Sequence, residues 1–137
     1  MLNILDATKV AEMMQRRGIL VLISDLYEDP ETVLRSVNGL RHKGNDVIVF
    51  HVLDSAEIDF PFTEAAHFED LETGERMPIV PETLRDQYRQ LMSQHLQTLS
   101  DRLVENQIDY CRFVTSQPLD FALFEFLARR QRMSRVR

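Results

Sequence analysis

The sequence predicts an α/β domain in three layers: a short, mainly parallel sheet flanked by helices, with a β-hairpin inserted. Three observations carry this. Five consecutive apolar residues, Ile19 to Ile23, are too few for a helix and too continuous for a half-exposed strand. They fit a strand buried on both faces, as in a parallel sheet covered by helices. Residues 46–53, Asp-Val-Ile-Val-Phe-His-Val-Leu, are again nearly all apolar and β-branched. Between the two runs, apolar residues recur at helical spacing. Strand, helix and strand within about 35 residues make a βαβ unit, and such crossovers are right-handed.

The remaining elements follow in order. Residues 3–17 read as a helix with a loose apolar face of Leu5, Val10, Met13 and Met14. Arg16 and Arg17 suit the negative end of its dipole, and Gly18 suits the cap after it. Strand one is Ile19–Ser24. Asp29 then caps a helix with Pro30 at its first position. That helix, residues 30–43, puts Val33, Leu34, Val37 and Leu40 on one face, and Gly44 closes it. Residues 55–81 break the rhythm. Asp59-Phe60-Pro61-Phe62 reads as an extended edge segment, because Pro61 cannot donate a ladder bond. Residues 67–71 and 76–80 flank Glu72-Thr73-Gly74-Glu75, a hairpin signature with Gly74 where a positive φ is needed. Pro81 starts the longest helix, to about Asn106, with Leu84, Tyr88, Leu91, His95, Leu99 and Leu103 as its inward stripe. Strand three spans 108–115. Pro118 starts the last helix, whose buried side is Leu119, Ala122, Leu123, Phe126 and Leu127. The arginine-rich tail, 129–137, is expected to be frayed and solvated.

Composition narrows the function classes. A chain of 137 residues is one domain. At 44% hydrophobic and 28% charged, it matches soluble globular proteins. Its net charge of −6, with no stripe of Lys and Arg interleaved with aromatics, argues against nucleic acid and anionic membrane as partners. The single cysteine, Cys111, excludes an internal disulfide and fits a reducing compartment. No apolar run approaches the ~20 residues that span a bilayer. Residues 1–9 lack a signal-peptide pattern, so the cytoplasm is the expected location.

Several blocks resemble a known family. They are Gly-Ile-Leu-Val-Leu-Ile-Ser-Asp-Leu at 18–26, Gly-Asn-Asp-Val-Ile-Val-Phe-His-Val-Leu-Asp at 44–54 and Phe-Glu-Asp-Leu-Glu-Thr-Gly-Glu at 68–75. In this order they resemble the C-terminal part of the bacterial domain-of-unknown-function-58 family. The Tyr110 strand and the Pro118-Leu119 helix continue the match. The resemblance implies a von Willebrand factor A-like fold, here its C-terminal half, incomplete on the N-terminal side. It implies a protein-interaction module rather than an enzyme. The implied partner is a MoxR-type AAA+ ATPase, or that ATPase's client, in assembly or maturation of complexes. A von Willebrand A domain holds Mg²⁺ through an Asp-x-Ser-x-Ser motif, a Thr and a later Asp. Asp25 matches the later Asp, and the Asp-x-Ser-x-Ser motif is absent. One carboxylate with waters is a poor octahedral site for Mg²⁺, the only cofactor the resemblance suggests. In the implied six-stranded sheet, strand 19–24 would be central, yet here it lacks a partner on one side. A bare apolar edge is a template for another chain. The expectation is a homodimer, two copies of strand one meeting antiparallel across a two-fold axis.

The candidate site residues lie at the carboxyl ends of the strands, where open α/β sheets bind ligands. Asp25 and Asp54 end adjacent strands, which would bring their Cα atoms within about 5–7 Å. With Ser24 and Ser116 they would form an oxygen-rich rim for a hard cation or a phosphate-bearing partner. Alternatively, Asp54 and Ser116 cap loops and Asp25 bonds nearby backbone N–H groups. The rival function is a divalent-metal-dependent phosphoryl hydrolase using Asp25 and Asp54. It needs a further acidic ligand or a basic clamp, and neither lies near those loops in sequence. His51, inside the second strand, fits a hydrogen-bonded core histidine better than a metal ligand. His67 and Glu69 share a face of the hairpin beside Asp70, two potential ligands without a third. His95 belongs to the helical stripe, and Cys111 fits a buried structural thiol. The four glycines, at 18, 39, 44 and 74, are isolated, so no phosphate-binding loop exists.

Overall fold

The computed structural model describes residues 9, 12–59, 66–69, 76–79 and 81–136. Its elements, in order, are β1 (Ile19–Ser24), α1 (Pro30–His42), β2 (Asp46–Leu53), α2 (Ser55–Asp59), β3 (Ala66–Glu69), β4 (Arg76–Ile79), α3 (Pro81–Glu105), β5 (Asp109–Val114) and α4 (Leu119–Val136). The main sheet has the order β1-β2-β5. Both of its ladders are parallel, with Ile19 level with Asp46 and Ile48 level with Asp109. The α/β expectation therefore holds, with helices on both sides of a short parallel sheet.

Local chemistry accounts for the element ends. The Asp29 carboxylate accepts from the Thr32 N–H at 3.1 Å and also takes the Thr32 hydroxyl, which caps α1 as expected. Hydrogen bonding to Thr32 holds its pKa below the usual 3.8. Gly44 leaves α1 at φ +89°, a conformation that favours glycine. The Asn45 amide then fastens this corner, accepting from the Gly18 N–H at 3.1 Å and donating to the Leu40 carbonyl at 3.1 Å.

One face of the sheet carries the core. Val33, Val37 and Leu40 of α1 and Leu99 and Leu103 of α3 close over Val47, Val49 and Tyr110, with Leu20 and Leu22 packed alongside. On the opposite face, α4 seats Phe126 on Phe50, their rings edge-on at 5.1 Å, and Phe50 meets Phe113 at 4.9 Å. Arg130 fastens the same helix, donating to the carboxylates of Asp46 and Asp109 at the starts of β2 and β5.

Several expectations change. The helix expected over 3–17 falls mostly outside the described residues; Glu12 and Met13 are helical and the chain leaves the helix at Met14. Arg16 and Arg17 therefore lead into β1 instead of ending a helix. Asp59 closes α2 rather than opening an extended segment, because Asp54 and Glu57 cap a helical turn; residues 60–62 lie outside the described ones. The hairpin is present, β3 pairing antiparallel with β4 and Glu69 level with Arg76, while the turn at 72–75 lies outside the described residues. In α3, Leu91 is 66% exposed, and the inward stripe runs instead through Met92, Leu96, Leu99 and Leu103. The arginine tail is helical to Val136 rather than frayed, and Arg130 is half-buried.

The largest departure concerns β1. It is an edge strand, as expected, but it is covered on one face only. Ile19, Val21 and Ile23 are exposed at 63%, 49% and 66%. The physical reason is placement: α1 and α3 lie on the other face, and α4 lies over β5 and β2 without reaching β1. For the same reason Leu119 and Leu127 of α4, expected to be buried, are exposed at 66% and 54%.

Candidate functional site

Two surfaces qualify: the carboxyl rim of the sheet and the uncovered face of β1. The rim was built from the strand ends. Ser24 is level with His51, so β2 continues past the end of β1. Asp54 thus stands two residues beyond the level of Asp25, about 7 Å along the strand direction. The expectation that their Cα atoms lie within about 5–7 Å took the two acids to end level, and the ladder register offsets them. Asp54 is joined instead to β5, where the Thr115 hydroxyl donates to its Oδ2 at 3.2 Å.

Hydrogen bonds occupy most of the rim. Asp54 Oδ1 accepts from the Ala56 N–H at 2.8 Å, and Glu57 Oε2 accepts from the Asp54 N–H at 2.8 Å. Asp54 thus caps the first turn of α2, and Glu57 reaches back to the N–H of the cap residue as the acid of a capping box does. Glu57 Oε1 also accepts from the Tyr27 hydroxyl at 3.1 Å. Ser24 Oγ accepts from the Leu26 N–H at 3.1 Å, a local turn bond. Ser116 lies exposed in the turn after β5. The loop-capping alternative therefore describes Asp54, and Ser24, which it did not include, makes a turn bond of its own. Glu57, Thr115 and Tyr27 were not anticipated; the Asp-x-x-Glu spacing at 54–57 was the signal that could have found the first.

Asp25 differs. It lines a pocket of about 120 Å³ with Tyr27, His51, Glu57 and His95. Its backbone carbonyl accepts from His51 Nε2 at 2.7 Å, and the next residue, Leu26, is buried with φ +49°. His51 is 1% exposed, and its Nδ1 meets the Tyr110 hydroxyl at 2.8 Å. It is the hydrogen-bonded core histidine that its apolar strand implied. Burial pushes its pKa below the ordinary 6.5, and the bond to Asp25 only partly offsets that. Among the described residues, no three His, Cys, Asp or Glu side chains are grouped to hold a metal ion. The side chains of His67 and Glu69, and Asp70 entirely, lie outside the described ones.

The second surface is apolar. Beside Ile19, Val21 and Ile23 runs α4, whose first half also exposes apolar side chains: Phe121 and Phe124 are exposed at 65% and 73% and line a separate hollow with Cys111 and Arg112. A groove of about 470 Å³ separates strand from helix, with Ile23 and Leu119 on its walls and Phe50 and Val52 lining it. A strand apolar on both faces normally belongs to the buried part of a sheet.

Comparison with known families then places the chain. Residues 4–98 match the family described as "Protein of unknown function DUF58". The chain belongs to the DUF58 family. The match runs through β1, α1, β2 and the hairpin and ends within α3, so the Tyr110 strand and the Pro118-Leu119 helix of this DUF58 protein lie beyond it. No curated protein and no solved structure matches it. No helix among its described residues is long and apolar enough to cross a membrane. Cys111 of the DUF58 chain is half-buried, and burial pushes its thiol above the ordinary 9.0, away from a nucleophile's range.

Proposed function

We propose that this DUF58 chain is a protein-interaction module resembling the C-terminal half of a von Willebrand A domain, working with a MoxR-type AAA+ ATPase or its client. The observation that supports the reading is the uncovered face of β1, where Ile19, Val21 and Ile23 stand 49% or more exposed. Contiguous apolar surface of this kind marks interaction sites on soluble proteins. The ATPase comes from the family resemblance alone. Asp25 corresponds to the later Asp of an adhesion site.

A phosphoryl hydrolase built on Asp25 and Asp54 draws less support. The Asp54 carboxylate already serves Ala56 and Thr115, and the two acids are not level. The test is direct binding of the purified chain to the purified MoxR-type ATPase of the same bacterium, with ATP, with ADP and without nucleotide. Micromolar or tighter binding that Val21→Lys abolishes is expected. No binding in any nucleotide state overturns the ATPase partnership. Mg²⁺-dependent phosphate release that disappears in Asp25→Ala restores the enzyme.

A further inference from the structure

We infer that the free edge of β5 and the flank of α4 beside it form a docking groove for an extended, acidic segment of a partner protein, which adds to the sheet as a further strand. The inference uses the edge of the sheet opposite β1 and does not depend on the uncovered face of that strand.

The edge is open. In the order β1-β2-β5, β5 has β2 on one side only. Successive residues of a parallel strand turn their backbone N–H and C=O groups alternately to either side. Thr115 donates its N–H to the Leu53 carbonyl of β2, so Asp109, Cys111 and Phe113 face β2 as well. Tyr110, Arg112 and Val114 face outward. Two of their carbonyls are already taken. Arg129 donates to that of Tyr110 at 3.1 Å, and the Gln117 N–H donates to that of Val114 at 2.9 Å. Arg112 keeps both its N–H and its C=O without a ladder partner among the described residues, the Cys111 thiol touching the carbonyl only at 3.9 Å. Such a pair holds one residue of an incoming strand.

The flank of α4 gives the groove its second wall. A hollow of about 750 Å³ lies between Cys111 and Arg112 on β5 and Phe121, Phe124, Arg129 and Arg132 on α4. From Phe121 to Met133, also on this wall, the helix runs about 18 Å, the length of about five extended residues. Every second side chain of an added strand faces this wall. Phe121 and Phe124, exposed at 65% and 73%, offer it apolar contact.

Charge selects the occupant. Arg112, Arg129 and Arg132 are exposed around the hollow, against one carboxylate, Glu125. None of the three arginines is ion-paired among the described residues; Arg129 and Arg132 donate to backbone carbonyls. The chain as a whole carries −6, so this basic groove stands against its surroundings. Guanidinium groups match carboxylates in geometry as well as charge. A segment that alternates acidic and apolar side chains supplies ladder hydrogen bonds, contact with the rings and the opposite charge together. A nucleic acid strand answers the charge and the rings but leaves the Arg112 backbone pair unused.

The test titrates the whole chain into a fluorescein-labelled peptide of about ten residues, alternating glutamate and valine, and follows fluorescence anisotropy. A dissociation constant of about 50 µM or tighter is expected at low salt. Lysine in place of every glutamate is expected to weaken binding about 10-fold or more, and proline at every third position likewise, because it removes ladder donors. Both changes are made in the peptide and leave the protein intact. Arg132→Glu is expected to weaken the acidic peptide about 10-fold with unchanged circular dichroism, since Arg132 is exposed. Hydrogen exchange of the Arg112 amide is expected to slow about 10-fold or more at saturation, which attraction by charge alone does not do. Val21→Lys is expected to leave peptide binding unchanged, so this groove and the face of β1 fail separately. No binding up to about 1 mM peptide overturns the inference. So does binding that spares the Arg112 amide or tolerates proline, and so does tighter binding of an oligothymidine strand, which gives the groove to nucleic acid. A parent chain of twice 16.1 kDa that Arg132→Glu returns to 16.1 kDa also overturns it and gives the edge to a second copy.

Discussion

The Tyr110 hydroxyl donates to Nδ1 of His51 across 2.8 Å in the buried interior of the sheet. The direction is fixed from the other side of the ring. Nε2 lies 2.7 Å from the Asp25 carbonyl, which can only accept, so Nε2 carries the proton. The neutral imidazole thus ties β5, through β2, to the loop that leaves β1. Removing the donor by Tyr110→Phe leaves a buried nitrogen without a partner. A loss of about 1–3 kcal/mol in urea unfolding is expected.

The same ring gives a pH dependence. Burial lowers the folded-state pKa of His51 below the ordinary 6.5. The unfolded chain therefore binds the proton first as pH falls, and stability declines wherever it binds more protons. The contribution is complete above 6.5 and is lost from there down toward the folded value. Urea midpoints at about pH 7.5 and about pH 5.5 are expected to differ more for the parent than for His51→Gln. Equal slopes in the two proteins would remove His51 as the source.

Asp54 is a cap, and its replacement should behave as one. Asp54→Ala removes the acceptor for the Ala56 N–H and the Thr115 hydroxyl. A loss of about 1 kcal/mol is expected, as for other N-caps. Addition of Mg²⁺ is expected to shift the melting temperature of the parent and of Asp54→Ala alike. A Mg²⁺-dependent stabilisation present only in the parent would make Asp54 a ligand.

The sequence carried much of this fold because its strongest signals are local. Asp29-Pro30 announced α1, and the run at 46–53 fixed β2 at both ends. Gly74 and its flanks announced the hairpin. Coverage of β1 was not legible, since a run such as Ile19–Ile23 states that both faces are apolar and not what lies against each. The offset at the rim was hidden for a related reason. The offset between Asp25 and Asp54 is set by ladder register, which only the paired strands reveal. Arg130 was hidden because its partners, Asp46 and Asp109, are 84 and 21 residues away.

Gly44 combines two constraints. Its φ of +89° strains any residue with a Cβ, and a Cβ there would stand 2.6 Å from Arg17 Nε. The Arg17 side chain can move aside, whereas the backbone cannot. Gly44→Ala is expected to cost about 1 kcal/mol or more in thermal unfolding. If Arg17→Ala restored that loss completely, the contact rather than the backbone would be its cause.

Arg130 offers the clearest test of how α4 is held. Its guanidinium donates to Asp109 at 2.5 Å and to Asp46, linking the starts of two strands to the helix. Both carboxylates are partly exposed, which limits the worth of the pair. Arg130→Ala is expected to cost about 1 kcal/mol at low salt, and less at about 1 M salt, where screening acts over about 3 Å. The helix should also become more accessible. Limited proteolysis is expected to cut between β5 and α4 sooner in Arg130→Ala than in the parent, with Arg132→Ala as the control. Identical cleavage of all three proteins would mean that the Phe126 contact with Phe50 holds α4 without the arginine.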